Sequence, residues 1–135
     1  MENFKFKPVN MPADVPKLRS EVREFLRVEL AGLEAREKAK SWSGFDEEFS
    51  RKLAKQGWVG MMWPKALGGS EASALHRYVV IEELLAAGAP VAAHWIADRQ
   101  SGAHIMRYAS KSVQERLLPA IARGELYFCI GMSEP

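Results

Sequence analysis

The chain has 135 residues, of which 47% are hydrophobic and 27% charged, and its formal net charge is +2. This composition is typical of one soluble globular domain, and so small and dispersed a charge argues against nucleic-acid binding. The single cysteine, Cys129, excludes an internal disulfide framework. The N-terminus shows no targeting segment, and charged and helix-breaking residues interrupt the most apolar window, 79–97. We therefore expect a cytoplasmic protein without a membrane span.

The first part of the chain predicts two helices after a loose lead-in at residues 1–12. Apolar residues recur at helical spacing across residues 13–38, which predicts one long helix that buries a single stripe. A second helix carries Phe45, Phe49 and Leu53 on one face. The glycine four residues after Leu53 is placed to end it.

A third predicted helix follows a loop rich in glycine and proline at residues 59–72. It begins near Ser73, a residue type favoured at helix N-caps, and Gly88 and Pro90 end it. The next predicted helix runs from about residue 91 to residue 108 and alternates small with bulky side chains. Small residues permit close approach of either a neighbouring helix or a ligand, and both possibilities stay open here.

The last predicted helix begins at Ser110 or Ser112 and ends at Gly124. Pro119 lies inside it and removes one backbone hydrogen bond, so we expect a kink or a restart there. The short apolar run 126–132 then predicts a strand.

These elements predict an all-α fold, a bundle of five to six helices that ends in one short β-strand. A single strand has no partner for its backbone groups, which suggests that the rest of its sheet is missing. The predicted organisation is a lead-in at 1–12, a helical domain at 13–125 and the first strand of a truncated β-domain at 126–135.

The three histidines do not predict a metal site. His76, His94 and His104 are 18 and 10 residues apart, a spacing that matches no common ligand motif. We interpret them as surface or hydrogen-bonded structural residues. Cys129 lies in the predicted apolar strand, where a thiol behaves as a small buried hydrophobe.

Two charged pairs also have structural interpretations. Glu82 and Glu83 are adjacent on a helix and point in different directions, which suggests one solvated and one structural acid. Asp98 and Arg99 lie among small residues, where a buried ion pair or a helix contact is favoured over catalysis. The residues alone therefore predict no catalytic constellation.

Five motifs lie in a fixed order along the second half of the chain. They are GWVG (57–60), WPKALGG (63–69), IEELLA (81–86), LLPAIARGE (117–125) and CIGMSEP (129–135). In this order and spacing they resemble the N-terminal half of the acyl-CoA dehydrogenase family. These flavoenzymes oxidise acyl-CoA thioesters to enoyl-CoA, as in fatty acid β-oxidation. The resemblance covers roughly residues 14–135.

The resemblance implies a helical N-terminal domain, a central β-domain and a second helical bundle, with FAD bound between the last two. It also implies an acyl-CoA substrate, an electron-transferring flavoprotein as acceptor, and a homo- or hetero-oligomer. In the family, a glutamate of the C-terminal domain removes the α-proton while a β-hydride passes to flavin N5. No catalytic residue is therefore expected within this chain.

The resemblance also assigns site residues. Ser133 would offer its hydroxyl to the flavin, Met132 its backbone groups, and Ile130 would lie beside the ring, where many relatives have Tyr or Phe. The helix at residues 91–108 matches the helix that contacts the acyl tail in the family. Its residues Ala92, Trp95, Ile96 and Gln100 would therefore line or approach the substrate.

The chain departs from the family pattern at two places. The Gly-Ala-Gly-Ser-Asp segment that the family has after the position of Pro135 is absent, and Ala109 stands where the family usually has Gly. We expect this chain alone to bind FAD weakly or not at all and to be inactive. Two alternatives to the dehydrogenase stay open: a stand-alone helical assembly module, and an acyl-CoA-binding bundle without flavin.

Overall fold

A computed structural model describes residues 8–131, in which six helical segments form a bundle when the continuous run from residue 92 to residue 108 is counted once. This confirms the predicted all-α bundle. The helices are α1 (Val15–Glu29), α2 (Ala35–Lys38), α3 (Glu47–Lys55), α4 (Ala74–Ala86), α5 (Ala92–Ile96), α6 (Gly102–Tyr108) and α7 (Lys111–Ala122). A 3₁₀ turn spans Lys65–Leu67, and a π-turn spans Ala97–Ser101 between α5 and α6.

The bundle has two apolar clusters that meet at the run formed by α5, the π-turn and α6. The larger cluster joins α1, α3 and α4 and includes Trp95 of α5. The smaller cluster joins α7 to Trp63 and includes Ala97 of the π-turn. Because both clusters use this run, its position is fixed by packing on two sides.

The first helix is shorter than predicted, because α1 ends at Glu29 and α2 begins only at Ala35. Gly32 lies between them with a φ of +82°, a left-handed conformation that side-chain-bearing residues rarely adopt. The apolar stripe continues through Leu30 and Leu33, which still pack against the core. The periodicity therefore indicated burial correctly but missed the break in the backbone.

The predicted ends of the later helices agree with the structure. The hydroxyl of Ser73 accepts a hydrogen bond from the backbone N–H of His76 and caps α4. Ser110 occupies the N-cap position of α7, but its hydroxyl contacts that of Ser112 (3.1 Å) and does not cap the helix backbone. At Pro119 the predicted alternatives were a kink and a restart; α7 is continuous through this residue, so the restart is wrong and the kink stays a prediction. Its neighbours Leu118 and Ile121 are buried and hold the helix against the second cluster.

The segment after α7 is not a strand in the part that the structure describes. Residues 126–131 have irregular backbone, and Leu126 and Phe128 pack against the second cluster. A strand needs the backbone of a neighbouring strand for its hydrogen bonds, and residues 8–131 contain no second strand beside this segment. The predicted strand is therefore corrected for 126–131, and Met132 lies outside the described residues. Among residues 8–131 no helix is long and apolar enough to cross a bilayer.

Candidate functional site

The start of α5 is held by the loop that precedes α3. The backbone N–H of Val91 donates to the carbonyl of Ser41 (3.2 Å), and that of Ala92 donates to the carbonyl of Gly44 (3.0 Å). The Ser41 hydroxyl donates to the carbonyl of Ala89 (2.6 Å). The first N–H groups of a helix have no partner within it, so these carbonyls satisfy them. The loop and the start of α5 are thereby joined by three hydrogen bonds.

The four residues predicted to contact substrate all lie on this run but differ in exposure. Ala92 and Ile96 are half-buried and four residues apart, which places them on one helix face. Gln100 is exposed and lies in the π-turn. Trp95 is only 8% exposed and belongs to the core. The accessible part of the predicted tail-binding surface therefore consists of Ala92, Ile96 and Gln100.

Trp95 is covered by two side chains that the sequence analysis did not connect with it. The ring centre of Trp42 lies 4.6 Å from that of Trp95, with the planes at 60°. The guanidinium carbon of Arg99 lies 5.2 Å from the centre of the Trp95 ring, a cation–π contact. In the sequence, Trp42 lies just after the first predicted helix, at residues 13–38, and before the second. An aromatic residue between Ser41 and Ser43 in a polar loop was the signal that could have singled it out.

Only part of the predicted flavin-binding segment falls within the described residues. Ile130 is 43% exposed, and a side chain at Gly131 would meet no atom within 4 Å. Ile130 is therefore accessible at the surface of the part of the chain that the structure describes. Met132 and Ser133 lie outside the described residues. Phe128 packs in the cluster that contains Ala97, so the segment approaches the same helical run.

Asp98 joins the π-turn to two distant parts of the chain. Its Oδ1 accepts from the backbone N–H of Gly60 (3.0 Å), and its Oδ2 accepts from Nη2 of Arg77 (3.1 Å). Burial raises the pKa of Asp98, and the Arg77 charge partly offsets this. The predicted structural role of Asp98 is correct, but its ion-pair partner is Arg77, not Arg99. π-turns inside α-helices recur at functional sites, and this one is fixed by an ion pair.

On the buried side of the helical run 92–108, small residues allow close packing. A methyl group on Gly102 would overlap the ring of Trp63, and Ala97 is fully buried. A cavity of about 230 Å³ lies nearby and is lined by Met62, Trp63, Arg77, Asp98, Arg99, Ala103 and Met106. Close helix packing thus explains the small residues Ala97 and Gly102.

The buried histidine forms a structural pair. Nδ1 of His94 and Oγ of Ser50 are 2.9 Å apart, and the Ser50 hydroxyl donates to the carbonyl of Asp46 (2.9 Å). Since the hydroxyl has one hydrogen, the pattern assigns the Nδ1–H donor to His94. Burial lowers the pKa of His94 to about 4, so the ring is neutral at pH 7. Both side chains are buried, so this pair is inaccessible to a substrate.

The other two histidines are also hydrogen-bonded. His76 contacts Ser73 and Asp14, and Nδ1 of His104 lies 2.9 Å from the carbonyl oxygen of Gln100. Residues 8–131 contain no cluster of three or more side chains that could hold a metal ion. All three histidines therefore have structural partners, as the sequence interpretation expected.

The two adjacent glutamates have the different roles that the sequence suggested. Glu83 is buried and binds both Arg19 and Arg23 of α1. Hydrogen bonding from Arg23 is the main cause that lowers the pKa of Glu83. Glu82 is more exposed and contacts Arg19 and the hydroxyl of Tyr78. Neither carboxylate is placed for acid–base chemistry.

Cys129 differs from its prediction as a buried thiol, because the structure places it at the surface. The segment that contains it is not covered by a sheet, so its side chain has no apolar layer to enter.

Comparisons with known proteins agree with this architecture. A family model described as acyl-CoA dehydrogenase, N-terminal domain, matches residues 13–125. The chain is 31% identical over 126 residues to acyl-CoA dehydrogenase FadE26 of Mycobacterium tuberculosis (strain ATCC 25618 / H37Rv), covering 87% of this chain and 31% of that protein. It is 25% identical over 128 residues to FadE29 of the same strain, covering 94% of this chain and 33% of that protein.

Two solved structures share the fold over almost the whole chain. One is described as Tcur3481-Tcur3483 steroid ACAD and superposes with a TM-score of 0.80 at 29% identity, covering 96% of this chain and 34% of that one. The other is the ChsE4-ChsE5 complex from Mycobacterium tuberculosis, with a TM-score of 0.76 at 28% identity, covering 96% and 32%. The chain spans about a third of the length of the relatives it matches.

The helical bundle and these matches identify residues 13–125 as a helical domain of the acyl-CoA dehydrogenase N-terminal type. The chain belongs to the acyl-CoA dehydrogenase family.

Proposed function

We propose that this chain is the N-terminal part of a flavin-dependent enzyme that oxidises an acyl-CoA thioester to the trans-2-enoyl-CoA. Its role is to supply one wall of the acyl-tail site. The observation that carries the proposal is the accessible face of Ala92, Ile96 and Gln100, which lies on a helical run fixed at its start by the 41–44 loop and at its middle by Asp98.

This face suits the apolar part of an acyl thioester. Ala92 and Ile96 present methyl and methylene groups, and Gln100 follows on the exposed side of the π-turn. Burial of each methylene of a tail against such a surface contributes about 0.8 kcal/mol. A tail that lies along the run would therefore gain affinity with length until it passes the end of the apolar face.

The flavin would be held by the segment that follows α7. FAD, when bound, would accept the hydride that leaves the β-carbon of the thioester. Ile130 lies at an exposed position, which allows contact with a flat ring. Met132 would bind the flavin through its backbone groups and Ser133 through its hydroxyl. The base that removes the α-proton lies outside this chain.

The names of similar solved structures guide the choice of substrates and partners. One relative in solved form is a steroid ACAD and another is a two-protein complex. These names favour a steroid-derived thioester as one test substrate and a hetero-oligomer as the assembly. We further propose an electron-transferring flavoprotein as acceptor and the cytoplasm as location.

The test uses the protein with its natural partner chain, purified with its flavin. Addition of an acyl-CoA without oxygen should bleach the flavin absorbance and form an enoyl-CoA that mass spectrometry identifies as lighter by one H₂. A flavin-free protein that binds the thioester without changing it would instead indicate an acyl-CoA-binding bundle. A protein that takes neither flavin nor thioester would indicate an assembly module.

Ile96→Asp tests the contribution of this chain. It should reduce the gain in kcat/KM with each added methylene of a straight-chain substrate, because the new carboxylate must be desolvated against the tail. Ser112→Asp places the same acid on an exposed position of α7 and should leave the chain-length dependence unchanged. An unchanged dependence in Ile96→Asp, with normal flavin content, would contradict the placement of the tail.

A further inference from the structure

Trp42 is an exposed aromatic side chain whose position the fold determines. It is 59% exposed, yet the residues on both sides of it are bonded to the start of α5. The backbone carbonyl of Ser41 accepts a hydrogen bond from the N–H of Val91, and the carbonyl of Gly44 accepts one from the N–H of Ala92. Gly44 also packs closely on Pro90, where a Cβ would lie 3.1 Å from the proline ring. The backbone therefore holds the indole in one place although much of its surface faces solvent.

The indole lies at the border of the accessible face described above. Trp42 rests on Trp95 at 4.6 Å between ring centres, and Trp95 follows Ala92 by three residues, so the two are neighbours on the helix surface. The Ala92 N–H is itself bonded to the loop that carries Trp42. An apolar group that lies along Ala92 and Ile96 would thus meet the exposed indole at the α5 end of the face.

The chemistry of this surface selects among possible ligands. A planar indole with one face free offers a large area for dispersion contacts with a flat apolar group. A fused ring system has no internal rotations to lose on binding, whereas an alkyl tail must freeze several. A cationic group is disfavoured, because Arg99 already lies over Trp95 at 5.2 Å and would repel it.

We propose that Trp42, supported by Trp95, is a specificity-determining residue that contacts the distal rings of a fused-ring acyl group and so favours such thioesters over straight-chain ones. The inference rests on the proposed function, because it takes the Ala92–Ile96 face as the acyl site. Trp42 is neither a catalytic residue nor a ligand of the flavin.

The experiment measures binding, so that it does not depend on turnover. Isothermal titration calorimetry gives the Kd of a steroid side-chain carboxylic acid as its CoA thioester and the Kd of octanoyl-CoA, which shares the CoA group. The ratio of the two is compared between the wild-type holoenzyme, Trp42→Ala and Trp42→Leu. Leucine still covers Trp95 but removes the flat ring. If the alanine variant does not fold, the leucine variant therefore provides the test. Tyr108→Ala removes another exposed aromatic, at the end of α6, and is the control.

The expected result is a loss of about tenfold or more in preference for the fused-ring thioester, the range for loss of one apolar contact in a binding pocket. The Kd of octanoyl-CoA, the flavin content and the Tyr108→Ala ratio should stay unchanged. An unchanged ratio in Trp42→Leu overturns the proposal. An equal loss of affinity for both thioesters, or a change of oligomeric state, also overturns it, since either result would make Trp42 a packing residue.

The two proposals can fail separately. A wild-type protein that binds the fused-ring thioester and does not reduce its flavin contradicts the dehydrogenase function, while the loss of preference in Trp42→Leu still supports the binding role. A protein that turns over thioesters with a preference that Trp42→Leu leaves intact supports the function and overturns the role of Trp42. Failure of the wild type to prefer the fused-ring thioester overturns the inference directly.

Discussion

The carboxylate of Asp98 accepts a hydrogen bond from the backbone N–H of Gly60 at 3.0 Å and thereby joins the π-turn to a loop 38 residues earlier in the chain. Its second oxygen binds Arg77 of α4 at 3.1 Å. One side chain thus fixes the middle of the proposed acyl-binding run against two other elements. The arrangement leads to a prediction about stability.

Asp98→Ala should lower the free energy of unfolding by about 2–4 kcal/mol, because it leaves a buried backbone N–H without an acceptor and Arg77 without a counter-charge. Asp98→Asn keeps a side-chain oxygen that can accept from the Gly60 N–H, so it should lower the free energy of unfolding by less. Urea unfolding of both variants measures the difference. Equal losses in the two variants would show that the Gly60 bond contributes nothing.

The stability of the domain should fall as the pH is lowered from 6.5 to about 4. Burial lowers the pKa of His94 from 6.5 to about 4. Between these pH values the imidazole is protonated in the unfolded state and neutral in the folded state, so acid favours unfolding. The full shift corresponds to about 3 kcal/mol. Carboxylates with a lowered pKa, such as Glu83, lose their contribution only below about pH 4.5, and Asp98, whose pKa is raised, acts in the opposite direction.

His94→Asn provides the control for this pH dependence. The asparagine amide can donate to Ser50 as the Nδ1–H does, but it does not titrate. Chemical denaturation between pH 4 and pH 7 should give a flatter profile for the variant. A slope equal to that of the wild type would assign the acid sensitivity to other groups.

Glu83→Gln and Glu82→Gln form a matched pair of neighbouring substitutions. Glu83 is buried between Arg19 and Arg23, so the loss of its charge should lower the free energy of unfolding by about 1–3 kcal/mol. This lies below the range for fully buried pairs because Arg23 is itself 65% exposed. Glu82 is more exposed, and its substitution should have a much smaller effect. Thermal unfolding of both variants provides the measurement, and an equal loss would contradict the structural role of Glu83.

Gly102→Ala should destabilise the domain although alanine is the better helix former. Gly102 has helical backbone angles, so the substitution gains about 1 kcal/mol of helix propensity. The added methyl overlaps the buried ring of Trp63, and overpacking of this kind costs about 1–3 kcal/mol. We therefore expect a lower melting temperature and a shift in the fluorescence of Trp63.

Gly32→Ala tests a different property of glycine. No atom lies within 4 Å of the added methyl, but φ is +82°. The variant should lose about 1 kcal/mol through backbone strain alone, with no change around Trp63. If Gly102→Ala were as stable as the wild type while Gly32→Ala lost stability, the close packing at Trp63 would be contradicted.

Helix existence and most helix ends were predictable because they depend on local chemistry. The caps and stops at Ser73, Gly88 and Gly124 follow from which residues satisfy or interrupt a helix backbone, and the structure confirms them. The break at Gly32 was missed because the apolar spacing continues across it. At Pro119 the sequence left a kink or a restart open, and no restart occurs because burial of the neighbouring residues outweighs one lost hydrogen bond.

The candidate site was predictable only in part. The motifs indicated the helical run that carries Ala92, Ile96 and Gln100. The sequence did not show that Trp95 is inaccessible. Trp42 and Arg99 lie over its ring, and only the tertiary structure reveals these contacts. Trp42 is 53 residues away from Trp95 in the chain, and no periodicity relates positions so far apart.

The sequence alone determined the family, the helical class and the order of the helices, because motif spacing, capping residues and apolar periodicity are properties of neighbouring positions. The tertiary structure decided that residues 126–131 have irregular backbone. It also decided the side-chain partners: Arg77 for Asp98, Ser50 for His94, and Trp42 for Trp95. Each of these contacts joins residues far apart in the chain. Such pairs form only when the packing of whole helices brings them together, so local sequence carries no record of them.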